Sequence, residues 1–127
     1  MNEVILDASA ILALLNAEPG AEVVEQTLPG AIISTVNLSE IVAKLAERGM
    51  PEAVIRVALG EIGLQVIPFD EDLAYQTGML RVSTRSAGLS FGDRSCLALG
   101  RRLRLPVLTT DRDWASLDVG VEVRLLR

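Results

Sequence analysis

The chain has 127 residues, half of them apolar and only 3% aromatic, with a formal net charge of −5 at neutral pH. It has no histidine and one cysteine, Cys96. That excludes an internal disulfide, a histidine general base, Ser-His-Asp and Cys-His nucleophile arrangements and the usual histidine-rich zinc sites. Chemistry here has to run on carboxylates, hydroxyls and a hard metal ion.

Val4-Ile5-Leu6 is a short apolar run that reads as a strand buried on both faces, as in parallel sheets. It breaks at Asp7, and the Ala- and Leu-rich segment that follows favours helix, so the two make a βα unit. Glu18-Pro19-Gly20 marks a turn, with Pro19 suited to the first position of a helix reaching about Leu28. Residues 31–34 form a strand candidate. Ser34 or Thr35 caps a helix to Arg48, which Gly49 stops. Pro51 opens a helix through about Ile62, and Leu64 to Pro68 reads as a strand. Asp70 caps a long helix to about Ser86, which Gly88 breaks. Ser90 caps a helix over Phe91 to Leu103. Val107 to Thr110 is a strand ended by Asp111, and Glu122 to Leu126 alternates like an edge strand. Strands separated by helices predict an α/β protein with a parallel sheet covered on both faces. The length predicts a single domain over residues 1–127. No apolar run approaches the roughly 18 residues needed to span a bilayer, and no basic region precedes the first apolar run. A soluble cytoplasmic protein with no membrane contact is therefore expected.

Charge is unevenly spread. Residues 1–80 carry 12 acidic and 3 basic side chains, whereas residues 81–127 carry 5 and 9. The cluster Arg81, Arg85, Arg94, Arg101, Arg102, Arg104 and Arg112 reads first as a solvated helix face, and the acidic balance argues against a nonspecific nucleic-acid binder.

Four acids each have an ordinary explanation. Asp7 suits a helix cap. Glu40 precedes Lys44 by four residues, as in a helical ion pair, and lies opposite Leu38, Ile41, Val42 and Leu45 on the helical wheel. Asp93 follows Ser90 by three, the spacing of a capping box. Asp111 can start a turn with Arg112 and Asp113. Jointly they say more. Asp7 and Asp111 end apolar strands, and Asp93 opens the helix leading into the second of them. Three carboxylates thus gather at the carboxyl side of one parallel sheet, where crevices form. Crowded like charges call for a cation, and an oxygen-rich set suits Mg²⁺ or Mn²⁺. One or two such ions can activate water and hold the leaving oxygen in a phosphodiester displacement.

Leu6-Asp7-Ala8-Ser9-Ala10, a helical Glu40, Leu89-Ser90-Phe91-Gly92-Asp93 and Leu108-Thr109-Thr110-Asp111 together resemble the four-acid signature of PIN-domain nucleases. Length and extent of match resemble the small VapC-type ribonuclease toxins of prokaryotic toxin–antitoxin pairs. The resemblance implies a three-layer α/β/α fold with a parallel, roughly five-stranded sheet. It also implies a Mg²⁺- or Mn²⁺-dependent endoribonuclease. Asp7, Glu40, Asp93 and Asp111 would be the metal-binding and catalytic residues. Ser9 and Thr110 would supply phosphate-contacting or supporting hydroxyls, and Asp113 would be either a fifth carboxylate or a solvated turn residue. The implied partners are an RNA substrate, a cognate antitoxin and a second copy of the chain. Helices over residues 10–28 and 51–62 would wall a groove for an antitoxin helix.

Four other readings compete. A receiver-like phosphoacceptor domain needs an acidic pair after the first strand and a late Lys, but the only Lys is Lys44. A haloacid-dehalogenase-like phosphatase needs Asp where Ser9 stands. A catalytically silent PIN-like binding module, or an RNA maturation or decay nuclease, would share the fold without the toxin role.

Overall fold

Ile5–Leu6 (β1) is the central strand of a five-stranded sheet in the computed structural model, which describes residues 3–127. The strand order is β3-β2-β1-β4-β5, and every neighbouring pair is parallel. The other strands are Ile32–Ser34 (β2), Gln65–Ile67 (β3), Val107–Thr109 (β4) and Val123–Leu125 (β5). Helices Ala8–Leu15 (α1), Ala21–Glu25 (α2), Thr35–Glu47 (α3), Glu52–Ile62 (α4), Glu71–Ser83 (α5) and Phe91–Leu103 (α6) connect them. Two 3₁₀ turns, Arg85–Ala87 and Arg112–Ser116, complete the chain. The C-terminal strand is an edge strand, as its alternation predicts. Among the described residues, no helix is long and apolar enough to cross a membrane.

The sheet divides the core in two because successive strand residues point to opposite faces. Val4, Leu6, Ile33 and Leu108 pack with Ile11 and Ile41 on one side. Ile5, Ile32 and Val107 pack with Leu97, Leu99 and Trp114 on the other. The central strands carry no polar face, so their apolar runs are continuous rather than alternating. Truncating a fully buried member such as Leu97 to Ala would cost about 2–5 kcal/mol through lost burial and the cavity left behind.

Boundaries differ from expectation at three places, each for a local reason. The second helix is Ala21–Glu25 rather than Pro19 to about Leu28; at its start Gly20 takes φ +97° and a Cβ there would strike Leu126. The long helix after Asp70 stops at Ser83: Thr84 leaves the helical region at φ −116°, ψ 18°, with its hydroxyl bonded back to the Leu80 carbonyl at 2.6 Å. The 3₁₀ turn after Asp111 buries Trp114 and has no counterpart in the sequence reading. At three other helix ends the residue type accounts for the cap. Ser34, rather than Thr35, caps α3, Asp70 caps α5, and Gly63 ends α4 in the left-handed region.

Candidate active site

β1, β2 and β4 lie side by side, so the chain leaves three neighbouring strands at one edge of the sheet. Asp7 follows β1 and caps α1. Its Oδ1 accepts from the Ala10 N–H at 2.9 Å and from the Ser9 hydroxyl at 2.6 Å. Its Oδ2 accepts from the Thr109 hydroxyl, at the end of β4, at 2.7 Å. Thr109 also accepts from the Asp111 N–H at 3.0 Å, and Ser9 accepts from the Thr110 N–H at 3.0 Å. The cap reading of Asp7 is therefore correct, and the same carboxylate faces the cleft. Only 6% of Asp7 is exposed. Burial pushes its carboxyl above the ordinary value, against the hydrogen bonds from Ser9, Thr109 and Ala10, and the negative charge of Asp93 adds to the upward shift.

Glu40 reaches the same place from α3, the helix that follows β2. Its exposure matches the helical wheel, but its fixed partner is not Lys44. Asn37, one turn earlier and 1% exposed, donates from Nδ2 to Glu40 Oε1 at 2.7 Å and to the Gly92 carbonyl at 3.2 Å. Asn37 is held in turn by Ser34, whose hydroxyl donates to Asn37 Oδ1 and accepts from its N–H, each at 3.0 Å. Gly92 lets α6 approach: a Cβ there would overlap the Glu40 carboxylate.

Asp93 lies in the first turn of α6. The predicted capping box forms, with the Ser90 hydroxyl accepting from the Asp93 N–H at 3.1 Å and Asp93 Oδ2 accepting from the Ser90 N–H at 3.0 Å. Asp111 accepts from the Asp113 N–H at 3.0 Å and opens the turn that buries Trp114.

All four acids line one recess of about 340 Å³, together with Ser9, Asn37 and Thr110. Among the described residues none of the four is in an ion pair, and no three acids close into a ready-made cation cage. The recess is an open acidic pocket. The Cys96 thiol, buried behind it, is pushed well up, chiefly by burial, with Asp7, Asp93 and Glu40 adding their charges. Hard oxygen donors carrying uncompensated charge, with no imidazole or thiolate on the wall, fit a divalent ion such as Mg²⁺ or Mn²⁺.

Two sequence expectations change in detail. The hydroxyl bridging the two strand ends belongs to Thr109; Thr110 lines the recess and ties to Ser9 through its backbone. Asp113 is exposed, contributes its N–H to Asp111 and is not among the residues lining the recess. Asn37, Thr109 and Gly92 were not singled out by the sequence. The one available signal is Asn37, a polar residue one helical turn before a candidate acid. The arginine cluster is largely a solvated face, as read: six of the seven are exposed, and Arg102 pairs with Asp70 at 2.8 Å. Arg94 instead donates to the Thr77 carbonyl at 3.0 Å.

An all-parallel five-stranded sheet with four carboxylates gathered beyond the ends of its central strands defines a PIN-type α/β protein, and the chain belongs to the PIN domain family, which residues 4–120 match. Within that family it is similar along nearly its whole length to VapC ribonucleases. It is 30% identical to Ribonuclease VapC42 of Mycobacterium tuberculosis, with 91% of this chain and 95% of the relative covered. It is also 30% identical to Ribonuclease VapC5 of the same organism, over 97% and 93%. Among solved structures, the DNA-bound VapBC from Salmonella typhimurium superposes with a TM-score of 0.77 at 22% identity, covering 100% of both chains. M. tuberculosis VapC20, described as a sarcin-ricin loop cleaving toxin, superposes with a TM-score of 0.73 at 22% identity, over 94% of this chain and 98% of that one. These two likenesses are of fold.

Proposed function

We propose that residues 1–127 act as one nuclease domain, a Mg²⁺- or Mn²⁺-dependent endoribonuclease serving as the toxin of a toxin–antitoxin pair. The observation that carries the reading is the recess itself: Asp7, Glu40, Asp93 and Asp111 line it without a cationic side chain to balance them. The relatives named as ribonucleases support the substrate class. These four residues would hold the metal, which when bound supplies Lewis acidity toward water and a phosphate oxygen. The remaining residues keep the acids in position. Ser9 and Thr109 orient Asp7, Asn37 aims Glu40, and the capping box fixes Asp93. Ser9 and Thr110 stand on the wall that a phosphate would reach.

The test is cleavage of RNA with Mn²⁺ and with EDTA. Cleavage should need the ion, and the products should carry 5′-phosphate and 3′-hydroxyl ends, because the chain has no histidine to activate a ribose 2′-hydroxyl. Cyclic-phosphate ends, or full activity after verified metal removal, would overturn the reading.

The same reading includes an antitoxin and a second copy of the chain as partners. An apolar groove of about 550 Å³ between α3 and α4, walled by Leu38, Val42, Ile55 and Leu59, suits an apolar partner helix. Residues 51–62, one of the expected walls, line this groove together with α3. On α5, Tyr75, Met79 and Val82 are exposed at helical spacing, as packing against another copy would require. Light scattering of the chain alone, and co-purification with the product of an adjacent small gene, test these partners.

A further inference from the structure

Beside the acidic recess, and sharing Glu40 as a wall, lies a second cleft of about 570 Å³ bounded by Thr35, Val36, Ser39, Ser90 and Phe91. The chain has four aromatic residues, and Phe91 is the one that lines this cleft. Its ring is 51% exposed and stays outside both core clusters. It is nonetheless held in place. Phe69 meets it edge to face, with ring centroids 5.5 Å apart and planes at 79°. Phe69 is itself anchored by its N–H, which donates to the Thr35 hydroxyl at 3.0 Å. Phe91 is also the first residue of α6, whose start is locked by the Ser90–Asp93 capping box. An exposed apolar ring fixed from behind is a platform.

Electrostatics leaves work for such a platform. Neither the recess nor the cleft is lined by a lysine or an arginine, and the chain is acidic overall. Phosphate–cation contacts, which dominate most nucleic-acid binding, are therefore not offered by the walls of either cleft. Stacking of a base on an aromatic ring does not depend on the charge of the protein and accepts any base. We infer that Phe91 is a stacking platform for an unpaired base of the RNA strand, next to the phosphate presented to the four acids. The inference rests on the ribonuclease reading and adds to it where, and by what force, the strand is held. It places the substrate in single-stranded form at the site, since a paired base has no free face to offer.

Two measurements test it. In steady-state cleavage of an unstructured RNA oligonucleotide, Phe91→Ala and Phe91→Leu should each raise KM by about 5- to 30-fold, the lower part of the range for one base–aromatic stack. Their kcat should change little, because stacking holds ground and transition states alike. Phe91→Tyr and Phe91→Trp should keep KM within about 2-fold of the wild type, since both preserve an aromatic face. If Leu serves as well as Tyr, or Ala leaves KM unchanged, the platform is refuted. Thermal melts establish that each variant is folded, and the Tyr and Trp variants carry the test if Ala does not fold.

The second measurement does not need cleavage. Phe91→Trp in an Asp93→Asn background places an indole on the cleft, while the native Trp114 is fully buried and serves as a constant background. Adding the same oligonucleotide with Mg²⁺ should quench this fluorescence saturably, whereas Asp93→Asn alone should not respond; no quenching refutes the platform. If the wild type cleaves no RNA but the quench persists, the base platform stands and the ribonuclease reading falls. Absence of both cleavage and quenching rejects both.

Discussion

Thr109, 102 positions after Asp7 in the chain, donates its hydroxyl proton to Asp7 Oδ2 at 2.7 Å and is completely buried. With its oxygen it accepts the N–H of Asp111. One side chain thus ties two of the four acids together and fixes the register at which β1 and β4 deliver them. Thr109→Val keeps the shape and removes the hydroxyl, leaving a buried carboxylate oxygen and a backbone N–H short of a partner. A loss of about 1–3 kcal/mol of stability is expected, with a fall in RNA cleavage that Thr109→Ser largely restores. Denaturant melts and cleavage rates on the three proteins check it.

Asp93 is both a helix-capping residue and a wall of the recess, and Asp93→Asn separates the two roles. Asn retains an oxygen to accept from the Ser90 N–H, so the fold should lose no more than about 1 kcal/mol. Cleavage should fall by about 10²–10³-fold, the size typical of removing one electrostatic stabiliser. Mn²⁺ should raise the melting temperature of the wild type by mass action, and that rise should shrink in the variant. An undiminished manganese shift in the variant would count against Asp93 as a ligand.

Gly92→Ala tests the contact between α6 and Glu40. Alanine is the better helix former by about 1 kcal/mol, and the obstacle to its methyl group is the end of a flexible side chain. The variant should melt within about 1 kcal/mol of the wild type, yet lose activity because Glu40 must vacate its position. Asn37→Ala should reach the same functional end by releasing Glu40, with metal affinity reduced about 10–100-fold, as for other residues that orient a ligand. Metal titration by calorimetry distinguishes either result from simple unfolding.

Asp7 gives the metal-free protein a pH dependence of defined sign. Its folded-state pKa is raised, so the folded chain binds this proton more readily than the unfolded chain does. Stability should therefore rise as pH falls from neutral through the folded value of Asp7, and this contribution should level off once the pH is below the ordinary carboxylate range. Asp7→Asn should abolish that part of the curve. Melting temperatures in EDTA across pH 4–8 for the two proteins provide the comparison, and a wild-type curve that falls monotonically toward acid would contradict it.

The strand and helix framework could be read from the chain because its signals are local. Short apolar runs sit between identifiable caps, and Ser90, Asp70 and Gly63 each do what their residue type favours. The features that escaped depend on contacts between distant segments. A helical wheel correctly gives Glu40 a polar face, but cannot say that this face opens onto a recess made by the start of α6. Thr109 and Thr110 are adjacent and chemically equal, and only the neighbouring strand decides which hydroxyl meets Asp7. Asn37 looks like a solvent residue until Ser34, Glu40 and Gly92 are brought around it. The left-handed Gly20 is explained by Leu126, more than 100 residues away.

The separation of Asp7 from Thr109 also sets a timetable. A chain emerging from the ribosome presents Asp7 first, then Glu40 and Asp93, and β4 with Thr109 and Asp111 only about a hundred residues after Asp7. Since β4 is the neighbour that completes the central sheet at β1, no nascent fragment ending before it can assemble the four-acid recess. A fragment that stops before β4 lacks both Asp111 and the Thr109 hydroxyl that bonds to Asp7.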